Sequence, residues 1–217
     1  MQIEVWVDLV CPWCYIGTGR LQQALAGLED GEDVEVRYRS FQLDPSAPSD
    51  GQVSVAEHLG AAYGGGGAEA GRQMAARTEA IAAQEGITFD HADAPWTNSR
   101  DGHRLLHLAL DEGGPDLQAR LGRELFAAYF ERARNLADPA VLREAAAAAG
   151  LDAARVEEVL AGQEYDDRVA RDVEEAAALG ATGVPFFVLD RRYAVSGAQP
   201  VEVFAEALEL ARTGQGS

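Results

Sequence analysis

Apolar positions along the chain first alternate and then change period. Ile3, Val5 and Val7 fall on one side and Glu4, Trp6 and Asp8 on the other, the period-2 pattern of a strand. Across 12–28, Ile16, Leu21, Ala24, Leu25 and Leu28 recur at helical spacing, with Gly27 and the Glu29-Asp30-Gly31 run as the stop. A second alternating stretch, from Val34 to Phe41, is rich in β-branched and aromatic residues and predicts another strand. Strand, helix, strand in that order is consistent with a right-handed parallel crossover.

The breaker cluster from Asp44 to Gly51 ends this pattern, and every periodic segment from there to about residue 179 has helical spacing. The predicted helices cover roughly 53–62, 68–85, 98–112, 116–134, 139–149, 153–161 and 164–179. Asp138 before Pro139 reads as an N-cap with proline at the first helical position, and Gly150 and Gly180 read as C-terminal stops. The run Gly64 to Gly67 reads as a mobile inter-helix loop; it lacks the lysine and hydroxyl of a phosphate-binding loop. Strand pattern returns from Pro185 to Leu189 and, after a turn at Asp190-Arg191, from Arg192 to Val195, predicting an antiparallel hairpin. A last amphipathic helix presents Val203, Phe204, Ala207, Leu208 and Ala211 on one face. The order β-α-β, helices, β-β-α predicts an α/β sheet domain split by a helical insertion.

Composition sharpens this outline. A length of 217 residues suits one domain, or one domain with a large insertion. Of the apolar residues 40 are alanine, a helix former, which agrees with the helical middle of the chain. All 18 basic residues are arginines against 36 acidic ones, so the formal charge is −18. Such a surface repels phosphate backbones and anionic lipid heads, so neither nucleic acid nor a membrane is an expected partner. The start of the chain shows no basic segment followed by an apolar one, and no apolar run approaches the ~20 residues needed to span a bilayer. A soluble, cytoplasmic protein is expected.

The chemistry is concentrated in two cysteines, Cys11 and Cys14, three positions apart at the junction of the first strand and helix. Cys11 is placed near the N-cap and Pro12 at the first helical position. Unpaired N–H groups of a first turn and the positive end of the helix dipole favour a thiolate, the nucleophilic form. Residues i and i+3 there approach the ~5.5 Å Cα separation that a disulfide requires, so Cys14 can close onto Cys11. Cys11 is expected to be accessible and Cys14 more buried. A zinc site completed by His103 and His107 is the rival reading, but 88 residues separate Cys14 from His103, far from a zinc-finger spacing. No metal is expected.

The second constellation is Thr182-Gly183-Val184-Pro185, opening the strand Phe186 to Leu189. Together with Cys11-Pro12-Trp13-Cys14-Tyr15-Ile16-Gly17, Phe41-Gln42-Leu43 and Tyr193 to Gln199, it resembles the DsbA-like branch of the thioredoxin superfamily, and within it the cytoplasmic FrnE-like proteins. The resemblance implies a thioredoxin fold (residues 1–45 and 180–217) interrupted by a large all-helical insertion domain (46–179). It implies a thiol-disulfide oxidoreductase with Cys11 and Cys14 catalytic, and with Pro12 and Trp13 tuning the site. Pro185 is then a cis-proline beside the sulfurs, and Val184 binds substrate through its backbone. Asn98 and His103, in a stretch that resembles a family motif with Gly102 where alanine is usual, are placed at the active-site rim. The implied partners are a disulfide- or thiol-containing protein or a small thiol. Glutathione is the candidate redox partner, and no cofactor is tightly bound. Two alternatives share the scaffold or its chemistry. Glutathione-dependent isomerases and transferases of the 2-hydroxychromene-2-carboxylate isomerase and kappa-class types usually carry serine at the nucleophile position. A redox-sensitive binding module would use the cysteine pair without turnover.

Overall fold

The four strands come from the two ends of the chain. The computed structural model of the protein describes residues 1–28 and 34–214. Strand β1 (Gln2–Val7) leads through α1 (Pro12–Ala26) to β2 (Glu35–Ser40), and β3 (Phe186–Leu189) turns into β4 (Tyr193–Ser196) before α8 (Val201–Thr213). The sheet order is β2-β1-β3-β4, with β1 parallel to β2 and antiparallel to β3, and β3 antiparallel to β4. Val5 lies opposite Tyr38 on one neighbour and Phe187 on the other. Helix α1 ends at Gly27, whose N–H reaches the Ala24 carbonyl, while Leu28 N–H reaches that of Leu25; the stop expected at Glu29-Asp30-Gly31 lies outside the described residues. The hairpin turn holds both Asp190 (φ 46°) and Arg191 (φ 54°) in the left-handed region and is closed by Arg192 N–H on the Leu189 carbonyl.

The alternation in β1 separates two buried faces, because the strand is central. Ile3, Val5 and Val7 pack with Ile16, Leu21, Phe187, Phe204 and Leu208, a core shared with α1 and α8. Trp6 packs with Phe186, Val188 and Ala176 on the other face, and its Nε1–H donates to the Asp172 carbonyl at 2.8 Å. Glu4, only 2% exposed, survives there because Arg39 (Nε, 2.9 Å) and Arg191 (Nε, 2.8 Å) pair with it.

The described residues between β2 and β3 form helices. These are α2 (Val55–Leu59), α3 (Gly67–Gln84), α4 (Arg100–Phe126), α5 (Pro139–Ala149), α6 (Ala153–Ala161) and α7 (Asp166–Ala178). Helix α2 starts at a Ser54/Glu57 capping box and continues as a π-helical turn, Gly60–Gly64, and α3 begins at Gly67, so the predicted glycine loop is shortened to Gly65 and Gly66. The two helices expected over 98–112 and 116–134 are joined, with a break at Gly113-Gly114 before Pro115 and a π-helical turn, Ala127–Glu131, at the end. Gly114 takes φ 68°, which lets the chain leave and re-enter the helix. Leu105, Leu121, Leu142 and Val159 belong to the same apolar cluster as the strands, so insertion and sheet share a core. Gln118 on α4 accepts from Tyr38 N–H (2.8 Å) and donates to Tyr38 C=O (3.0 Å), covering part of the outer edge of β2. No described helix is long and apolar enough to cross a membrane.

Candidate active site

Cys11 is the N-cap of α1, with extended backbone (φ −92°, ψ 115°) and proline at the start of the helix. Its N–H closes back on the Asp8 carbonyl at 3.1 Å, so the chain turns sharply from β1 into the helix. No side chain caps this end and no acidic residue stands in the first turn, so the positive end of the helix faces Cys11 unneutralised.

The two sulfurs have different surroundings. Both cysteines are free thiols. Cys14 is fully buried, and its sulfur accepts the Asp8 N–H at 3.4 Å. Burial pushes its pKa well above the usual thiol range, and the neighbouring Cys11 sulfur adds to the shift. Cys11 is only 3% exposed, which corrects the expectation of an open sulfur at the helix tip. Its thiol contacts the Val184 carbonyl at 3.7 Å, and it otherwise lines a cavity against the helical segment. Pro12 and Trp13 line the same cavity, with Trp13 38% exposed at its edge.

The Val184–Pro185 peptide bond is cis. Helix α1 comes close to this loop at Gly17, where an added Cβ would lie 2.9 Å from Pro185 Cγ and 3.3 Å from Ala198 Cα. Gly17 was not among the residues the sequence points to as functional, because only the fold brings the loop against the helix. Gly17→Ala is expected to push the Pro185 loop off α1 and cost about 1–3 kcal/mol by overpacking, against less than about 1 kcal/mol gained in helix propensity. A urea midpoint equal to or above that of the parent protein would contradict this contact.

Asp8 organises the site from below. It is buried, and its carboxylate accepts Leu43 N–H (2.7 Å) and Val10 N–H (3.4 Å), tying the loop after β2 to the turn before Cys11. His103 is not at the rim. It is fully buried, with Nε2 3.6 Å from Asp8 Oδ1 and with neither ring nitrogen hydrogen-bonded among the described residues. The helical period of α4 turns it inward, as it does His107, whose Nε2 meets Ser40 Oγ (3.2 Å) and Asp172 Oδ2 (3.1 Å). Asn98 also stands outside the cavity lining. Its Nδ2 donates to the Pro45 (2.9 Å) and Ala47 (3.3 Å) carbonyls, and its Oδ1 accepts from Arg100 N–H and Gln42. It thereby pins the loop that forms one cavity wall. Gly102 has a packing reason: a Cβ there would lie 2.6 Å from Leu9 Cδ1.

The cavity at Cys11 measures about 600 Å³ and lies between the Cys11-Pro12-Trp13 segment, the 43–47 loop, α2, α3 and the Trp96 region. A second cavity of about 640 Å³, between α1 and α4, touches neither cysteine.

A strand, a cysteine-capped helix and a cis-proline loop meeting at one point narrow the comparison with known proteins. The model of the DSBA-like thioredoxin domain matches residues 2–209. The chain belongs to the DSBA-like thioredoxin domain family. This DsbA-like protein superposes on the crystal structure of a probable DsbA oxidoreductase from Streptomyces coelicolor with a TM-score of 0.90. The two are 43% identical, over 100% of this chain and 92% of that one. YwbO of Bacillus subtilis (strain 168) is 26% identical over 213 residues, 96% of each chain. The cytosolic disulfide reductase DsbM from Pseudomonas aeruginosa, solved with GSH, shares the fold. Its TM-score is 0.69 at 21% identity, over 98% of this chain and 100% of that one. The protein is thus a member of a family of DsbA-like thiol oxidoreductases with a thioredoxin fold and a helical insertion.

Proposed function

We propose that the protein exchanges disulfides with a thiol- or disulfide-containing protein or small thiol in the cytoplasm, through Cys11 and Cys14. The observation that carries this reading is the asymmetry of the pair. One sulfur sits at an uncapped helix N-terminus and lines a cavity; the other is sealed beneath it with its proton held firmly.

In the reductive direction the Cys11 thiolate attacks one sulfur of a substrate disulfide. The substrate S–S bond breaks, and the departing thiolate takes a proton from solvent. Cys14 then gives up its proton and attacks the Cys11 sulfur, closing the intramolecular disulfide and releasing the second substrate thiol. Two electrons pass from the protein to the substrate, and the oxidative direction reverses each step. Val184 and Pro185 border the attacked sulfur and bind the substrate backbone as an added strand. Pro12 and Trp13 shape access from the other side. Asn98 and His103 act as supports, one through the 45–47 loop and the other beside Asp8. The GSH in the DsbM structure supports a small thiol as a redox partner.

Catalysed reduction of hydroxyethyl disulfide by the protein, with dithiothreitol as the electron source, tests the proposal. Absence of turnover would leave a redox-sensitive binding module. Equilibration with a thiol buffer then sets the direction: a potential near about −270 mV marks a cytosolic reductant, one near about −120 mV an oxidant.

A further inference from the structure

The cavity beside Cys11 has walls that select among ligands. Its volume of about 600 Å³ is that of a small-molecule site. Leu43, Val55, Met74, Tyr63, Trp96 and Tyr129 form much of its surface. Among the described residues, Asp44 supplies the sole carboxylate of the lining, and no arginine lines it in a chain with 18 of them. The Asp44 carboxylate is engaged by Ser46, through N–H at 2.9 Å and Oγ at 2.6 Å. His58 stacks on Trp96 with ring centroids 4.0 Å apart, leaving a flat aromatic surface.

His91 is a buried titratable group of the wall. It is 4% exposed and lines the cavity; its Nδ1 is sealed and unpaired among the described residues, which leaves Nε2 as the accessible ring nitrogen. Burial lowers its pKa to about 4, so the ring is neutral at physiological pH and offers one nitrogen to a hydroxyl rather than a charge to a carboxylate. A carboxylate placed against the buried part of this wall would find no arginine among the described lining residues to offset its lost hydration.

Building on the exchange reading above, we infer that this cavity holds the organic part of a small, uncharged, aromatic thiol or disulfide. A hydroxyl on that part meets His91 Nε2, and anionic thiols such as glutathione are disfavoured occupants. The bond changes are those of the exchange itself. Cys11 bonds to the near sulfur, the ligand S–S bond breaks, and the far half leaves as a thiolate that solvent protonates.

The test is the stopped-flow reaction of the reduced protein with four disulfides: bis(para-hydroxyphenyl), diphenyl, bis(para-carboxyphenyl) and glutathione disulfide. Each rate is divided by that of the same disulfide with dithiothreitol, which removes intrinsic reactivity. The hydroxyphenyl compound is expected to lead diphenyl disulfide by about fivefold, the worth of one net hydrogen bond. Diphenyl disulfide is expected to lead both carboxylated compounds by at least about tenfold, from the cost of burying an unpaired charge. In His91→Phe the hydroxyl advantage disappears while the preference for phenyl over carboxyphenyl stays. Normalised rates equal across the series, or glutathione disulfide fastest, overturn the inference and leave the exchange reading standing. Failure of all four to react overturns both. The series on the unaltered protein decides the matter even if the variant does not fold.

Discussion

Cys11→Ser abolishes disulfide exchange, with an expected loss of at least about three orders of magnitude, because a serine hydroxyl is uncharged at neutral pH and forms no S–S bond. Cys14→Ser has a different signature. Cys11 still attacks, but nothing beneath it closes the second step, so a mixed disulfide accumulates on Cys11 toward one per chain. Intact-mass spectrometry after incubation with a reactive disulfide reads both outcomes. The expected contrast rests on geometry: Cys11 lines the cavity, whereas Cys14 is fully buried under the first helical turn. Recovery of the adduct on Cys14 of Cys11→Ser, at a rate matching the parent protein, would reverse the assigned roles.

The second large effect concerns stability below neutral pH. Burial holds the pKa of His91 at about 4, against 6.5 for an ordinary histidine. Between those values the unfolded chain binds a proton that the folded chain does not. His91 therefore supports stability fully above about pH 6.5, and the contribution is lost as pH falls toward about 4. At ~1.36 kcal/mol per pH unit, that interval amounts to about 3 kcal/mol. His91→Phe removes the titrating group while keeping a ring beside Phe89, Tyr129 and Phe130. Urea unfolding at about pH 7.5 and about pH 4.5 should show the parent protein losing about 3 kcal/mol more than the variant. Equal losses would mean that His91 accepts its proton without unfolding.

Much of the site was legible because its signals are local. Two cysteines three apart, with proline between them after an alternating strand, specify a helix N-terminus carrying a sulfur, and α1 begins there. The hairpin after Pro185 was equally legible, since β-branched and aromatic residues flank a short polar turn. Asp8, Gly17 and His91 carry no comparable signal. Asp8 reads as the polar end of a strand until the 43–47 loop folds over it and takes its carboxylate. Gly17 stands at the end of the Cys11–Gly17 stretch with no role of its own until Pro185 arrives from the far end of the chain. The resemblance of its neighbours to a family motif puts His103 at the rim, yet helical periodicity alone does not say which side of α4 meets the sheet.

The sequence by itself determined the strand-helix-strand opening, the helical middle, the closing hairpin and a pair of sulfurs three residues apart at a helix start. These depend on hydrogen-bonding period, turn residues and spacing, all of which act between neighbours in the chain. Tertiary structure alone decided that Cys11 opens onto a cavity and not onto bulk solvent, and that the described residues lining this cavity include a neutral histidine and no arginine. Those properties arise from desolvation and from contacts between segments more than a hundred residues apart, and such contacts exist only once the helical insertion has packed against the sheet.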